Sequence, residues 1–216
     1  MRIGLRGERA GDSLNLVELV NLPDRRVFHL SGTVPACFYL AHGRAGGVLI
    51  NSPPYAAGLH DRLEAVAPLR FVFLPSALGS AHVRAWRAVG AAVIASFEEA
   101  PLIDAPIDQP VDRKVRLVRD IDFLPMSGRT RGSCALRVRV SPSIVFFGPI
   151  LDHCDWPALV AHPDDDSFEN RVLGALGLQD LRFEFAFCDN YAHGRSRFGP
   201  GAAKSVRRNL AAELSG

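Results

Sequence analysis

Residues 71–95 read FVFLPSALGSAHVRAWRAVGAAVIA, and this segment contains the clearest pattern of secondary structure in the chain. Residues 71–74 form an apolar run of the length typical of a buried strand. A segment with helical spacing follows at residues 81–89 and ends at Gly90, because glycine readily adopts the conformation that closes a helix. Residues 92–95 form a second apolar run. The stretch therefore predicts a strand-helix-strand crossover that joins two parallel strands.

Further apolar runs, separated by turn residues, lie on both sides of this unit. Before it, they predict strands at residues 27–30, 37–41 and 48–51 and an amphipathic helix at 56–67 that ends before Pro68. After it, they predict strands at residues 114–118, 135–140, 144–147 and 183–187 and helices at 168–176 and 201–214. This order indicates an α/β protein in which helices cover the outer faces of the sheets.

Two finer expectations concern the helix at residues 168–176. Its spacing places four apolar side chains on the inward face, namely Phe168, Val172, Leu173 and Leu176. The acidic run at residues 164–166 precedes the helix, where carboxylates complement the helix dipole. We interpret this run as a solvated helix N-terminus.

The composition limits the class of protein. A chain of 216 residues with 48% hydrophobic residues can bury a sizeable core, and we expect one domain over residues 1–216. The formal net charge of +2 gives no general reason to expect binding to nucleic acid or to an anionic membrane. The N-terminus lacks the apolar stretch of a signal peptide, and no run is long enough for a membrane helix. We expect a cytoplasmic protein, and the frequent Ala, Arg and Gly are associated with GC-rich bacterial genomes.

The cysteines are spread along the chain, at Cys37, Cys134, Cys154 and Cys188. They form no CxxC pair, which argues against a zinc ribbon and against a disulfide framework. We therefore expect reduced thiols.

Four segments together resemble the metallo-β-lactamase superfamily over about residues 25–200. They are GVLINSP at 47–53, the strand and loop at 71–81, SGRTRGS at 127–133 and IVFFGP at 144–149. The first segment is similar to the family's strand that ends in an Asp-Thr or Asp-Ser turn, and the second to the strand and HxHxDH metal loop. The third is similar to the GHTPGS loop, and the fourth to the strand that delivers a bridging aspartate. The resemblance implies a four-layer αββα sandwich.

The same resemblance implies that most of the family's metal ligands are missing here. The loop at residues 76–81 contains no imidazole or carboxylate. Arg129 stands in place of the GHTPGS histidine and cannot coordinate zinc, and Pro149 stands in place of the aspartate. His193 matches the family's last histidine, but one or two ligands cannot hold a hydrolytic zinc ion. We expect no metal cofactor.

We predict that the former active-site cleft binds a small anionic molecule or a protein partner instead, through Ser76, Ser80, Arg129, Thr130 and His193. A guanidinium at a former ligand position replaces the charge of the metal and can bind a carboxylate or phosphate with two hydrogen bonds. An Arg129 that points inward requires a bound anion or a carboxylate such as Asp152 or Asp189, because an unpaired buried cation is costly.

A hydrolase of an ester, lactone or thioester is the alternative function. It would use a relocated zinc site, with Asp152, His153, Cys154, Cys188 and His193 as candidate ligands. A metal-free nucleophile such as Ser76 or Ser80 is the other route, although serines before a helix usually cap it. A third alternative is a structural subunit paired with a catalytically intact homologue. A homo-oligomer is compatible with each of these.

Overall fold

The computed structural model describes residues 14–160, 168–178 and 180–213, so the acidic run at residues 164–166 lies outside the described residues. The first β-sheet has seven strands in chain order: β1 (Leu16–Leu22), β2 (Arg25–Leu30), β3 (Cys37–His42), β4 (Gly46–Ile50), β5 (Leu69–Phe73), β6 (Ala92–Ala95) and β7 (Gln109–Pro110). Strands β1 to β4 are antiparallel, and β4 to β7 are parallel. The predicted crossover is thus present between β5 and β6.

The remaining strands are β8 (Val115–Val118), β9 (Ile121–Pro125), β10 (Cys134–Val138), β11 (Ile144–Gly148), β12 (Asp152–His153), β13 (Pro157–Ala158) and β14 (Phe185–Cys188). Five of them form the second sheet in the order β14-β11-β10-β9-β8, and β12 pairs with β13. In the second sheet only the pair β11–β14 is parallel among the described strand pairs.

The helices are α1 (Ala57–Val66), α2 (Val83–Ala88), α3 (Phe168–Leu176) and α4 (Ala202–Glu213), with short 3-10 turns at Ala77–Gly79 and Phe97–Leu102. Helix α1 ends where expected, at an extended Ala67 that precedes Pro68. Helix α2 ends before Gly90, whose positive φ of 101° favours glycine. Within the described part of the chain, no helix is long and apolar enough to span a membrane.

Three apolar clusters separate four layers. Side chains between the two sheets, such as Phe38, Phe73 and Phe146, form the central cluster. Leu63 and Trp86 belong to a second cluster, between α1, α2 and the first sheet. A third cluster lies between the second sheet and helices α3 and α4. The order helix, sheet, sheet, helix confirms the expected αββα sandwich.

Helix α3 packs with a face that matches the predicted one only in part, since Phe168 and Val172 pack against the third cluster. Leu173 and Leu176 are 64% and 44% exposed, so their inward placement was wrong. Arg171, Gly174 and Ala175 are buried instead. A Cβ added at Gly174 would lie 1.9 Å from the carbonyl oxygen of Ser127. The helix is therefore turned so that glycine allows close contact with this loop and the arginine reaches partners inside the protein.

Candidate functional site

A cleft of about 790 Å³ opens at the end of the sandwich where the β2–β3 loop meets the loops that follow β11 and β14. Four residues of the predicted loops all line it: Leu78, Arg129, Pro149 and His193. They come from segments far apart in the sequence. The loops in which the family resemblance places metal ligands therefore meet around one cleft.

Asn51 connects three of the segments around the cleft. It follows β4 with φ of 62°, a left-handed conformation that asparagine tolerates better than most residues. Its side-chain amide donates to the carbonyl oxygen of Ala36 and to Asp189 Oδ1, both at 2.9 Å. A Cβ added at Gly79 would lie 1.9 Å from Asn51 Oδ1, so the loop after β5 also packs directly on this amide. Asn51 thereby fixes the position of the Asp189 carboxylate.

Glu99 connects the two loops that carry Leu78 and Arg129. Its carboxylate is buried, and Oε2 accepts a hydrogen bond from the backbone N–H of Ala77 at 2.8 Å. Oε1 accepts from the backbone N–H of Gly132 at 3.1 Å. A protein carboxylate therefore holds these loops together.

Arg129 belongs to a network of two guanidinium groups around one carboxylate. Arg129 Nη2 donates to Asp152 Oδ1 at 3.0 Å, and Arg171 Nη2 donates to Asp152 Oδ2 at 2.5 Å. Arg171 is fully buried and also donates to the carbonyl oxygens of Ile150 and Val160. The Arg129 side chain is 45% exposed. Asp152 thus accepts hydrogen bonds from both arginines and holds the Arg129 guanidinium at the cleft.

The pKa values of two other cleft residues are strongly shifted. Burial raises the pKa of Asp189 to about 6, opposed by the Asn51 hydrogen bond and by the charge of Arg129. Burial lowers the pKa of His29 to about 4, and the nearby His193 lowers it further. His29 is therefore neutral at pH 7, whereas Asp189 loses its proton near pH 6 and then offsets part of the positive charge.

The predicted hydroxyl residues make local hydrogen bonds. Ser76 Oγ accepts from the backbone N–H of Leu78 at 3.3 Å, and Ser80 Oγ donates to the carbonyl oxygen of Ala77 at 2.7 Å. Thr130 Oγ1 lies 2.8 Å from Ser133 Oγ. The residues that line the cleft do not include Ser76, Ser80 or Thr130. Their hydroxyls satisfy turns of the loops, as serines near helix starts usually do.

Among the candidate ligands of a relocated zinc site, Asp152 and His153 have other partners, and burial keeps the Cys188 thiol from ionising. Asp152 holds the two guanidinium groups, and His153 Nε2 lies 3.0 Å from the carbonyl oxygen of Arg197. Burial lowers the pKa of His153 to about 4 and raises that of the Cys188 thiol, while Cys154 is exposed. In the ranges that the structure describes, these residues and His193 do not bring three ligand atoms within 4.8 Å of one another.

One group of described residues does meet that distance: Asp24, His42 and Asp120. It lies at the opposite end of the first sheet, beside a hollow of about 450 Å³. His42 Nδ1 accepts from the backbone N–H groups of Arg44 and Ala45, so the imidazole proton sits on Nε2, 3.4 Å from Asp120 Oδ2. A metal at Nε2 would require the opposite tautomer. The geometry fits a polar His–Asp contact better than a metal site.

A carboxylate and an arginine complete this end of the molecule. Asp24 Oδ1 lies 2.5 Å from Arg25 Nη1. The buried Arg25 also donates from Nη2 to the carbonyl oxygens of Val140 and Pro142. These bonds join the first sheet to the β10–β11 turn of the second sheet. Arg25, paired with Asp24, therefore connects the two sheets at this end.

Comparison with family models and with curated protein sequences finds no match. Comparison with solved structures finds DIM-1 metallo-β-lactamase, with a TM-score of 0.66, 13% identity and coverage of 92% of this chain and 98% of that one. A metallo-β-lactamase from Pontibacter korlensis matches with a TM-score of 0.65, 15% identity and coverage of 93% and 98%. The chain has the metallo-β-lactamase fold.

A further similar structure is a metallo-β-lactamase from Erythrobacter litoralis, solved with β-mercaptoethanol in its active site. It matches with a TM-score of 0.66, 13% identity and coverage of 92% of this chain and 97% of that one. Such low identities establish the metallo-β-lactamase fold alone. The chemistry of the cleft has to be argued from the residues of this chain.

Those residues do not fit the dinuclear zinc centre that the family resemblance implies. Two tetrahedral zinc ions need several free imidazole or carboxylate ligands. Both oxygens of the Asp152 carboxylate receive a guanidinium, and the rings of His29 and His193 lie 6.5 Å apart between centroids. The guanidinium of Arg129 supplies a positive charge in the cleft where the family resemblance places the metal ions.

Three residues that shape the cleft were not identified from the sequence: His29, Asn51 and Arg171. His29 lies within the apolar strand β2, where an imidazole gives no signal of its own. Arg171 gave no signal either, since Asn170 and Val172 flank it and the apolar spacing of α3 indicated a different face of the helix.

Proposed function

We propose that the protein binds a small molecule with an apolar body and one anionic group in this cleft, and that it does so without a dinuclear metal centre. The observation that carries the proposal is the exposed guanidinium of Arg129. Only Nη2 of its side chain has a hydrogen-bond partner among the described residues, namely Asp152. The remaining N–H groups are available to a ligand, and Asp152 holds the guanidinium in place before the ligand arrives.

The walls of the cleft support an apolar body for the ligand. Val34, Pro35, Leu78 and Pro149 line it, and Val34 and Leu78 are exposed to solvent. Covering such surface gains about 25 cal/mol per Å². An apolar cleft with a few well-placed polar groups is typical of small-molecule sites, whose volumes are about 300–1,000 Å³.

A singly charged carboxylate suits the cleft better than a phosphate dianion. Arg129 is one exposed cation, and above pH 6 the nearby Asp189 carboxylate offsets part of its charge. Guanidinium binds carboxylate with two parallel hydrogen bonds, which also orients the ligand. The proposed ligand class is therefore apolar carboxylates.

A thermal-shift comparison of phenylacetate with the neutral phenylacetamide tests this proposal. Phenylacetate in large excess should raise the Tm of the wild-type protein by several degrees, since about 1 kcal/mol of binding corresponds to about 2–4 °C in a protein of this size. Phenylacetamide should raise it much less. Arg129→Ala should lose the phenylacetate effect, whereas Arg131→Ala, a strongly exposed arginine of the same loop, should keep it.

Two results would overturn the proposal. One is the absence of any shift with acetate, hexanoate and phenylacetate in the wild-type protein. The other is a chelator-sensitive esterase activity of purified protein on p-nitrophenyl acetate, which would favour the hydrolase alternative over the binding protein.

A further inference from the structure

An imidazole in the wall of the cleft lacks a hydrogen-bond partner. His29 belongs to β2, is 4% exposed and lines the cleft. Among the described residues, no group donates to its ring or accepts from it, and Nδ1 is enclosed by protein. Nε2 is therefore the ring nitrogen that remains for a ligand in the cleft.

Two other buried histidines show the usual arrangement. His42 Nδ1 accepts hydrogen bonds from the backbone N–H groups of Arg44 and Ala45. His153 Nε2 lies 3.0 Å from the carbonyl oxygen of Arg197. Buried polar side chains generally have such a partner, and an exception requires an explanation. At His29 the cleft beside the ring provides one, since a bound molecule can supply the missing partner.

The ring of His29 is part of an aromatic wall. It contacts the Tyr191 ring edge-on, with 4.9 Å between centroids, and the Phe38 ring at 5.5 Å. The ring of His193 lies 6.5 Å away between centroids, and both Tyr191 and His193 line the cleft. Aromatic rings pack favourably edge-on or with offset faces. The wall around His29 therefore suits a ligand whose apolar body is an aromatic ring.

The charge state of His29 determines which polar group it binds. Burial, and then the nearby His193, lower its pKa to about 4, so the ring is neutral at pH 7. A neutral imidazole has one donor and one acceptor and offers no positive charge to a second carboxylate. A hydroxyl group both donates and accepts, so it can pair with Nε2 in either tautomer of the ring.

His29 and Arg129 reach the cleft from different sheets. His29 lies on β2 of the first sheet, whereas Arg129 lies in the loop between β9 and β10 of the second. Packed sheets are about 10 Å apart. A ligand that contacts both side chains therefore has to carry its two polar groups at opposite ends of an apolar body.

We propose that His29 is a specificity-determining residue that binds the hydroxyl group of an aromatic carboxylate, at the end of the ligand remote from Arg129. This inference rests on the proposed function, because it requires the carboxylate of the ligand to lie on the exposed guanidinium of Arg129. It narrows the ligand class from apolar carboxylates to phenolic acids whose hydroxyl and carboxylate groups are far apart.

Isothermal titration calorimetry on the full chain at pH 7 tests the inference with hydrocinnamate and para-hydroxyhydrocinnamate. The two compounds differ by one hydroxyl group. A neutral hydrogen bond corresponds to a gain in affinity of about two- to tenfold, so the para-hydroxy compound should bind the wild-type protein more tightly by that factor. The isomer ortho-hydroxyhydrocinnamate, whose hydroxyl lies near the carboxylate, should show no such gain.

The readout for variants is the ratio of the Kd of hydrocinnamate to that of the para-hydroxy compound. His29→Phe keeps an aromatic ring but has no nitrogen, so this ratio should fall to about one. His29→Gln, whose amide can take the place of Nε2, should keep part of the gain. The matched control is His60→Phe on α1, a histidine outside the cleft, which should leave the ratio at its wild-type value. Circular dichroism checks that each variant is folded.

The wild-type affinities separate this inference from the proposed function. If hydrocinnamate binds but the para-hydroxyl gives no gain, His29 is not a specificity residue and the anion site at Arg129 stands. A gain that survives His29→Phe, or that is lost in His193→Phe instead, also overturns the inference. An equal gain with the ortho isomer would contradict the placement of the hydroxyl remote from Arg129. If none of the three compounds binds, both proposals fail.

Discussion

Asp152 receives a guanidinium on each of its two carboxylate oxygens, from Arg129 on one side and from Arg171 on the other. The two arginines have different surroundings, because Arg171 is fully buried and Arg129 is 45% exposed. Water screens the exposed ion pair and leaves the buried one strong. The two halves of the network should therefore contribute unequally to stability.

Substitutions in the network test this inequality. Asp152→Asn removes the carboxylate charge that faces the buried guanidinium of Arg171 at 2.5 Å and should lower the free energy of unfolding by about 3–5 kcal/mol. Arg129→Ala leaves Asp152 paired with Arg171 and should cost less than about 1 kcal/mol. Urea denaturation of both variants measures the difference, and equal losses would contradict the described network.

Asp189 should give the stability a distinct pH dependence. Burial raises its pKa to about 6 in the folded protein from 3.8, so between these values the folded state binds the proton more tightly than the unfolded state. Its contribution to stability therefore falls as the pH rises from about 4 to about 6, by up to about 3 kcal/mol. Asp189→Asn should gain stability relative to wild type over this window and keep a constant difference above it. Urea titrations at several pH values provide the test, and a difference independent of pH would exclude the shift.

At the scale of elements, the second sheet depends on one carboxylate in β9. Asp122→Asn removes the charge that Lys114, Arg116 and Arg139 share. Because these cations are partly exposed and can regain water, the expected loss is about 1–3 kcal/mol, below that of a fully buried pair. Added salt screens the repulsion that remains. Thermal unfolding at low and high salt should show the variant regaining stability relative to wild type, and parallel salt responses would count against repulsion among these three cations.

The same carboxylate explains why part of the sheet could not be predicted. Strands β2 to β6, β10 and β11 have apolar or alternating sequences, and these were found from pattern alone. Strand β9 reads IDFLP, and the aspartate at its second position breaks the apolar run. Its burial is compensated by cations on neighbouring strands, which a local pattern does not reveal. The prediction of the inward face of α3 was partly wrong for a related reason, because the side chain that anchors this helix in the interior is Arg171 and not a leucine.

The site was predictable to the extent that loops could be matched to a known family. That match placed Leu78, Arg129, Pro149 and His193 in the loops that form the cleft. The hydroxyl residues of those loops could not be assigned, because a serine that caps a turn and a serine that faces a ligand look alike in sequence. Which carboxylate pairs with Arg129 depends on the packing of α3 against β12.

At the scale of the whole molecule, the sheets are joined by protein groups at both ends. The Glu99 and Asp152 networks hold the cleft loops, and Arg25 joins the sheets at the opposite end. If these networks hold the fold without a metal ion, as we propose, a chelator should leave the Tm unchanged and purified protein should contain well under one equivalent of zinc. Elemental analysis and a melting curve with EDTA check this. A Tm drop of several degrees would indicate a structural metal.

Glu99 has a consequence for protein engineering. Its carboxylate already fixes the backbone of Ala77 and Gly132, so the loop that contains Leu78 has lost most of its conformational freedom before any ligand is added. Grafted side chains on such a loop start from a preorganised backbone, which reduces the entropy cost of assembling a new site. Residues 76–81 are therefore a suitable place to install designed histidines and convert this scaffold into an artificial metalloenzyme.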